Sequence, residues 1–83
     1  MVKDIDSSIA KVLRQVREKR GISQESLSFE AGLHRTYISQ LERGLKGVTV
    51  KTLLKITEAL DIEIDEFMKL VNDDRKTISS NPG

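Results

Sequence analysis

Between His34 and Arg43 the chain sets Arg35, Thr36, Tyr37, Ser39, Gln40 and Arg43 around two apolar residues, Ile38 and Leu41. On a helical wheel Ile38 and Leu41 share one side, which turns Arg35, Thr36, Ser39, Gln40 and Arg43 outward and leaves Tyr37 at the edge. These side chains offer forks and hydroxyls rather than an acid–base couple. A guanidinium can donate two hydrogen bonds to guanine, a carboxamide can pair with adenine, and threonine presents a hydroxyl and a methyl. The same groups can hold phosphate, or stand as an ordinary solvated helix face.

Catalytic chemistry has little to work with. There is no cysteine, His34 is the only histidine, no glycine-rich phosphate loop is present, and the neighbours Asp65 and Glu66 point to different azimuths. The lack of cysteine also removes disulfides and thiolate metal sites and fits a reducing compartment. No metal, cofactor or small-molecule ligand is expected, and the chain is expected not to be an enzyme. Apolar runs never exceed two residues, far short of the roughly 20 that cross a bilayer, and the N-terminus has no apolar leader. The expected setting is cytoplasmic, with no membrane partner.

The elements that must position residues 34–43 follow from length and apolar spacing. Eighty-three residues support one small core, and three aromatics with a single proline at position 82 give no strand-forming clusters, so the fold is expected to be all-α. Ile5, Ile9, Val12, Leu13 and Val16 recur at helical spacing and predict a first helix from about Asp6 to Arg20, stopped by Gly21. Ser23 is a good N-cap for a short second helix ending near Ala31 before Gly32. The third spans His34 to Arg43 and stops at Gly44; Thr49 caps a fourth in which Leu53, Ile56 and Leu60 are core-spaced. A fifth runs from about Ile64 to Val71. Residues 1–71 thus form the domain, and Asn72 to Gly83 lose periodicity and are expected to fray or be disordered.

Charge is divided along the chain. Residues 11–55 hold ten Lys/Arg against four Glu, a net +6, whereas residues 56–74 hold one Lys against seven Asp/Glu, a net −6. A basic face could meet a polyanion that the acidic end would repel. The turn at Gly32 is too short for antiparallel packing, so the second and third helices must cross steeply. That is a helix-turn-helix, whose second helix can enter a major groove about 12 Å wide.

Ser23-Gln24-Glu25-Ser26-Leu27, Ala31-Gly32-Leu33, Tyr37 through Gly44 and Thr52-Leu53-Leu54-Lys55-Ile56 together resemble the Xre family, the lambda-repressor and Cro-like helix-turn-helix regulators. The match covers about Ile9 to Leu70. The resemblance implies a compact five-helix DNA-binding domain, usually dimeric, with helix three reading the major groove of double-stranded DNA. The segment His34 to Ser39 further resembles controller proteins of restriction–modification systems.

Carried onto this sequence, the resemblance places base contacts on Arg35, Thr36 and Tyr37, followed one turn later by Ser39 and Gln40. Gln24 matches a glutamine that contacts phosphate and can brace the recognition helix. Arg43, Lys46, Thr49 and Lys51 surround the loop where the family meets the backbone again, and Arg14 and His34 are further phosphate candidates. Arg17 and Glu42 match an ion pair joining helix one to the end of helix three, with a role in orientation rather than net stability. Two departures stand out. Ser28 occupies a usual alanine position and needs a hydrogen-bond partner, such as its i−4 carbonyl. Phe29 falls at a usually polar position, where local packing is expected.

Five apolar residues of helix five spread over about 160°, wider than the roughly 100° one core needs. Phe67 and Leu70 are assigned to the core. Ile64, Met68 and Val71, with Leu54, are left for a two-fold homodimer. The expected function is a sequence-specific DNA-binding transcriptional regulator, a homodimer on an inverted-repeat operator. The alternative is a protein-interaction module such as an antitoxin component.

Overall fold

The computed structural model describes residues 4–79, with side chains through residue 76. Its five helices are α1 (Ile5–Lys19), α2 (Gln24–Ala31), α3 (Arg35–Glu42), α4 (Val50–Ala59) and α5 (Ile64–Ser79). The N-termini of α1, α2 and α4 are closed by Asp4, Ser23 and Thr49, whose side chains accept from the amides of Ser7, Ser26 and Thr52 at 3.0–3.2 Å. His34 and Arg43, read from the sequence as the ends of the third helix, are its flanking caps.

One device ends the first four helices. Gly21, Gly32, Gly44 and Asp61 adopt φ of 70°, 69°, 71° and 56°. After each, an amide reaches back to a carbonyl five residues earlier: Ile22 to Arg17, Leu33 to Ser28, Leu45 to Gln40 and Ile62 to Thr57, all at 2.8–3.1 Å. Glycine makes the left-handed turn at Gly32 without a Cβ penalty, and so ends α2 and turns the chain towards α3. Asp61 does the same with a side chain, its carbonyl accepting from Arg20 Nη2 at 3.0 Å.

The core gathers the inward stripe of every helix: Leu13, Leu27, Ile38, Leu41, Ile56, Leu60, Phe67 and Val71 are all essentially inaccessible. Helix α1 packs on α3 and α5, α2 on α3 and α4, and α4 on α5. Ser28 is buried in this layer, and its hydroxyl donates to the Glu25 carbonyl at 2.8 Å, three residues back rather than the expected four. Phe29 does not pack locally; it is 87% exposed.

Helix α5 departs from the sequence expectation twice. Val71, assigned to a partner, is fully buried beside Phe67, and Leu70, assigned to the core, is 41% exposed. Residues four apart stack on one helix face, so Phe67 selects Val71 and leaves Leu70 on the flank. The helix also continues past Val71 to Ser79. No apolar stripe is needed for that extension: Asp74 Oδ1 lies 3.4 Å from Lys11 Nζ, which ties it to α1, and arginine and lysine favour the helix. Residues 80–83 of the expected frayed tail lie outside the described residues.

Ser8 is fully buried in α1, and among the described residues its hydroxyl meets no hydrogen-bond partner. A buried unpaired hydroxyl costs about 1–3 kcal/mol, and alanine is the better helix former. Ser8→Ala should therefore raise unfolding free energy by about 1 kcal/mol in urea titrations; a loss of stability would mean that the hydroxyl is satisfied.

Candidate nucleic-acid interface

Helix α3 has only eight residues, and alone it would not hold its shape in water. Its inner side is fixed by Ile38 and Leu41, which are inaccessible. Its C-terminal end is fixed by a charge. Arg17 Nε donates to Glu42 Oε2 at 2.6 Å and Nη2 to Oε1 at 3.0 Å, a two-pronged ion pair between α1 and α3. Arg17 Nη1 also donates to the Ile22 carbonyl at 2.8 Å, and Gln24 Nε2 donates to Glu42 Oε1 at 3.1 Å. One carboxylate thus collects α1, the α1–α2 turn and the start of α2.

Burial makes the arrangement demanding. The Arg17 and Glu42 side chains are 12% and 2% exposed. The hydrogen bond that Arg17 donates to Glu42 raises the Arg17 pKa above its ordinary value, against the opposing effect of burial. A raised arginine pKa sustains stability at every pH below the ordinary arginine value and withdraws it only as pH climbs through the raised one. The arginine partner therefore keeps its charge throughout the neutral range.

With α3 so held, Arg35 and Thr36 are exposed at its beginning, and Ser39 and Gln40 are half-buried one turn on. Gln24, Arg35, Thr36 and Ser39 line one shallow depression. Unlike α1, α2 and α4, α3 begins without a side-chain cap, since exposed His34 makes no capping bond. Tyr37 is placed differently from its neighbours. Its ring is half-buried against the core, and its hydroxyl is directed at the Gly47 carbonyl at 3.4 Å, so it braces the loop after α3.

The phosphate candidates fall into two groups. Arg14 and Arg43 line a groove between α1 and the end of α3, together with Lys11, Gln15 and Glu18. Lys46 and Lys51 are exposed on either side of the loop that leads into α4. The hydroxyl of Thr49 is occupied within its own helix, accepting from the Thr52 amide and donating to the Thr52 hydroxyl at 3.1 Å. The spacing places Lys11, Arg14, Gln15 and Glu18 together on the polar face of α1, and of the four only Arg14 is among the expected phosphate contacts. Among the described residues no group of His, Cys, Asp or Glu could hold a metal ion, and no helix is long and apolar enough to cross a membrane.

Residues 13–67 match the helix-turn-helix family HTH_3. The control protein C.BamHI of Bacillus amyloliquefaciens is 42% identical over 82% of this chain and 85% of its own length. The restriction–modification controller protein C.Esp1396I, solved as a tetramer in complex with its natural 35 base-pair operator, superposes with a TM-score of 0.81 and 29% identity. That match covers 87% of this chain and 95% of the other. The controller protein C.AhdI of Aeromonas hydrophila gives a TM-score of 0.73 and 40% identity over 75% of this chain and 94% of the other.

Removing one member of the buried pair strands the other charge. Arg17→Ala should cost about 3 kcal/mol or more, against less than about 0.5 kcal/mol for exposed Arg14→Ala. Thermal melts and an Arg17/Glu42 double-mutant cycle measure this; equal melts with zero coupling energy would refute it.

Proposed function

This chain belongs to the helix-turn-helix family, and from that premise we propose that it is a sequence-specific DNA-binding transcriptional regulator of the restriction–modification controller type. The observation that carries the reading is the exposed pair Arg35 and Thr36 at the start of an eight-residue helix clamped by Arg17 and Glu42. Helix α3 enters the major groove; Arg35, Thr36, Ser39 and Gln40 meet base edges, and Tyr37 contributes from the rim while bracing the loop. Gln24, Arg14, His34, Arg43, Lys46 and Lys51, with the amides at Thr49, meet phosphates on either side. The work is binding rather than catalysis. An antitoxin-like role is not favoured, because relatives that match most of the chain are control proteins or helix-turn-helix transcriptional regulators.

Two copies assemble through α4 and α5. Leu54 is 40% exposed and lines a depression with Ile62 and Ile64, and half-buried Met68 continues the flank of α5 one turn beyond Ile64. Val71 takes no part, being buried in its own core. A two-fold dimer presents two α3 helices, so the operator is an inverted repeat with half-sites about 10 bp apart.

Selection of bound duplex from a random pool tests this by yielding motif, symmetry and spacing together; an asymmetric single half-site would oppose it. On the selected operator, Arg35→Ala should cost about 1–3 kcal/mol and relax preference at one base position. Lys46→Ala should instead weaken all sequences alike and flatten the salt dependence by about one unit of slope. Intact affinity and preference in Arg35→Ala would remove α3 from the reading role.

Met68→Glu should shift sedimentation towards monomer and weaken operator binding while far-UV dichroism stays unchanged. A wild-type chain that sediments as a monomer at micromolar concentration would sink the dimer.

A further inference from the structure

Three of the four helix-ending turns return an apolar side chain to the core: Ile22, Leu33 and Ile62 all pack against it. The fourth does not. Leu45 occupies the corresponding position after Gly44, yet it is 64% exposed. Its backbone is as firmly tied as the others, with its amide 3.0 Å from the Gln40 carbonyl and the Tyr37 hydroxyl directed at the Gly47 carbonyl beyond it. The side chain is therefore held out in water by ordered backbone. Its neighbours are cations, since Arg43 and Lys46 are exposed on either side.

An apolar group set between two cations matches a surface that alternates anions with apolar carbon. A nucleic-acid strand has that texture, with phosphate oxygens separated by deoxyribose carbons. We propose that Leu45 is a further DNA-contacting residue, which packs on the deoxyribose between phosphates held by Arg43 and Lys46. The proposal rests on the DNA-binding function above and adds to it an apolar, sequence-independent grip at the edge of the recognition helix. A second copy of the same basic loop would bring like charges together, so self-association at this point is disfavoured.

The test is fluorescence anisotropy of the full chain on its selected operator and on an unrelated duplex, across a salt series. Half-burial of a leucine corresponds to about fivefold in affinity, so Leu45→Ser should bind both duplexes about fivefold more weakly. Because no charge is lost, the slope of affinity against salt should match the wild type. Leu45→Met should keep near-wild-type affinity, and neither variant should change the melting temperature or sedimentation. Wild-type binding by Leu45→Ser overturns the proposal while leaving the DNA-binding function standing. A loss on the operator alone would make Leu45 a base contact and overturn the sugar assignment. Altered sedimentation without DNA would assign the residue to a second copy, for which the acid-lined depression between α4 and α5 is the complementary face. A wild-type chain that binds neither duplex overturns both readings.

Discussion

The Glu42 carboxylate is the group on which the rest of this structure turns. A nearly inaccessible carboxylate is tolerable only if donors reach both oxygens, and those donors come from two different helices, Arg17 of α1 and Gln24 of α2. Their geometry leaves little freedom for the angle at which α3 leaves the body. Apolar contacts alone would not be so strict, because hydrophobic packing is non-directional and Ile38 and Leu41 could slide. The pair contributes direction more than net free energy, since desolvation of two charges offsets much of their attraction. Direction is what a reading helix of eight residues needs.

From that angle the surface charge acquires a meaning that the net value conceals. Of the cations in residues 11–55, Lys11, Arg14 and Arg43 line the groove between α1 and α3, and Lys46 and Lys51 flank the loop into α4. The acids Glu58, Asp61, Glu63 and Glu66 line the depression between α4 and α5. A polyanion is drawn to the first region and pushed from the second, so the field of the molecule orients it before any side chain touches a base. On the proposed assembly, the same segregation leaves the apolar flank of α4 and α5 open to a second copy while α3 is engaged.

Much of this was legible in the residues. The i, i+3, i+4 spacing of Ile9, Val12, Leu13 and Val16 and the stops at Gly21, Gly32 and Gly44 gave the helices to within a residue or two, because periodicity and left-handed turns are local properties. The resemblance supplied Arg17 and Glu42, a pair separated by 25 residues that no local signal connects. What failed was azimuth and reach. Five apolar residues on α5 allowed two core choices, and only the position of α1 and α4 decides that Val71 turns in and Leu70 out. The extension of α5 to Ser79 rests partly on an inter-helix contact, Lys11 to Asp74, invisible to a reading of that segment alone. Tyr37 and Thr49, expected as DNA contacts by position, carry a further role that position alone does not reveal, their hydroxyls bonding within the protein itself.

Those two hydroxyls point to how a chain of 83 residues without a disulfide keeps its binding surface ordered. Several residues at the edge of the interface serve the fold as well: Gln24 holds Glu42, Tyr37 braces the loop at Gly47, and Thr49 caps α4. Each is immobilised before DNA arrives, and immobilising a rotamer-rich side chain on binding otherwise costs about 0.5–1.5 kcal/mol. Arg35, Lys46 and Lys51, by contrast, stand in solvent. On the proposed reading, the rigid residues set register on the DNA backbone and the exposed cations adapt to sequence and spacing within it. A small core can support only a few rigid groups, which explains why they are drawn from residues that already hold the helices together.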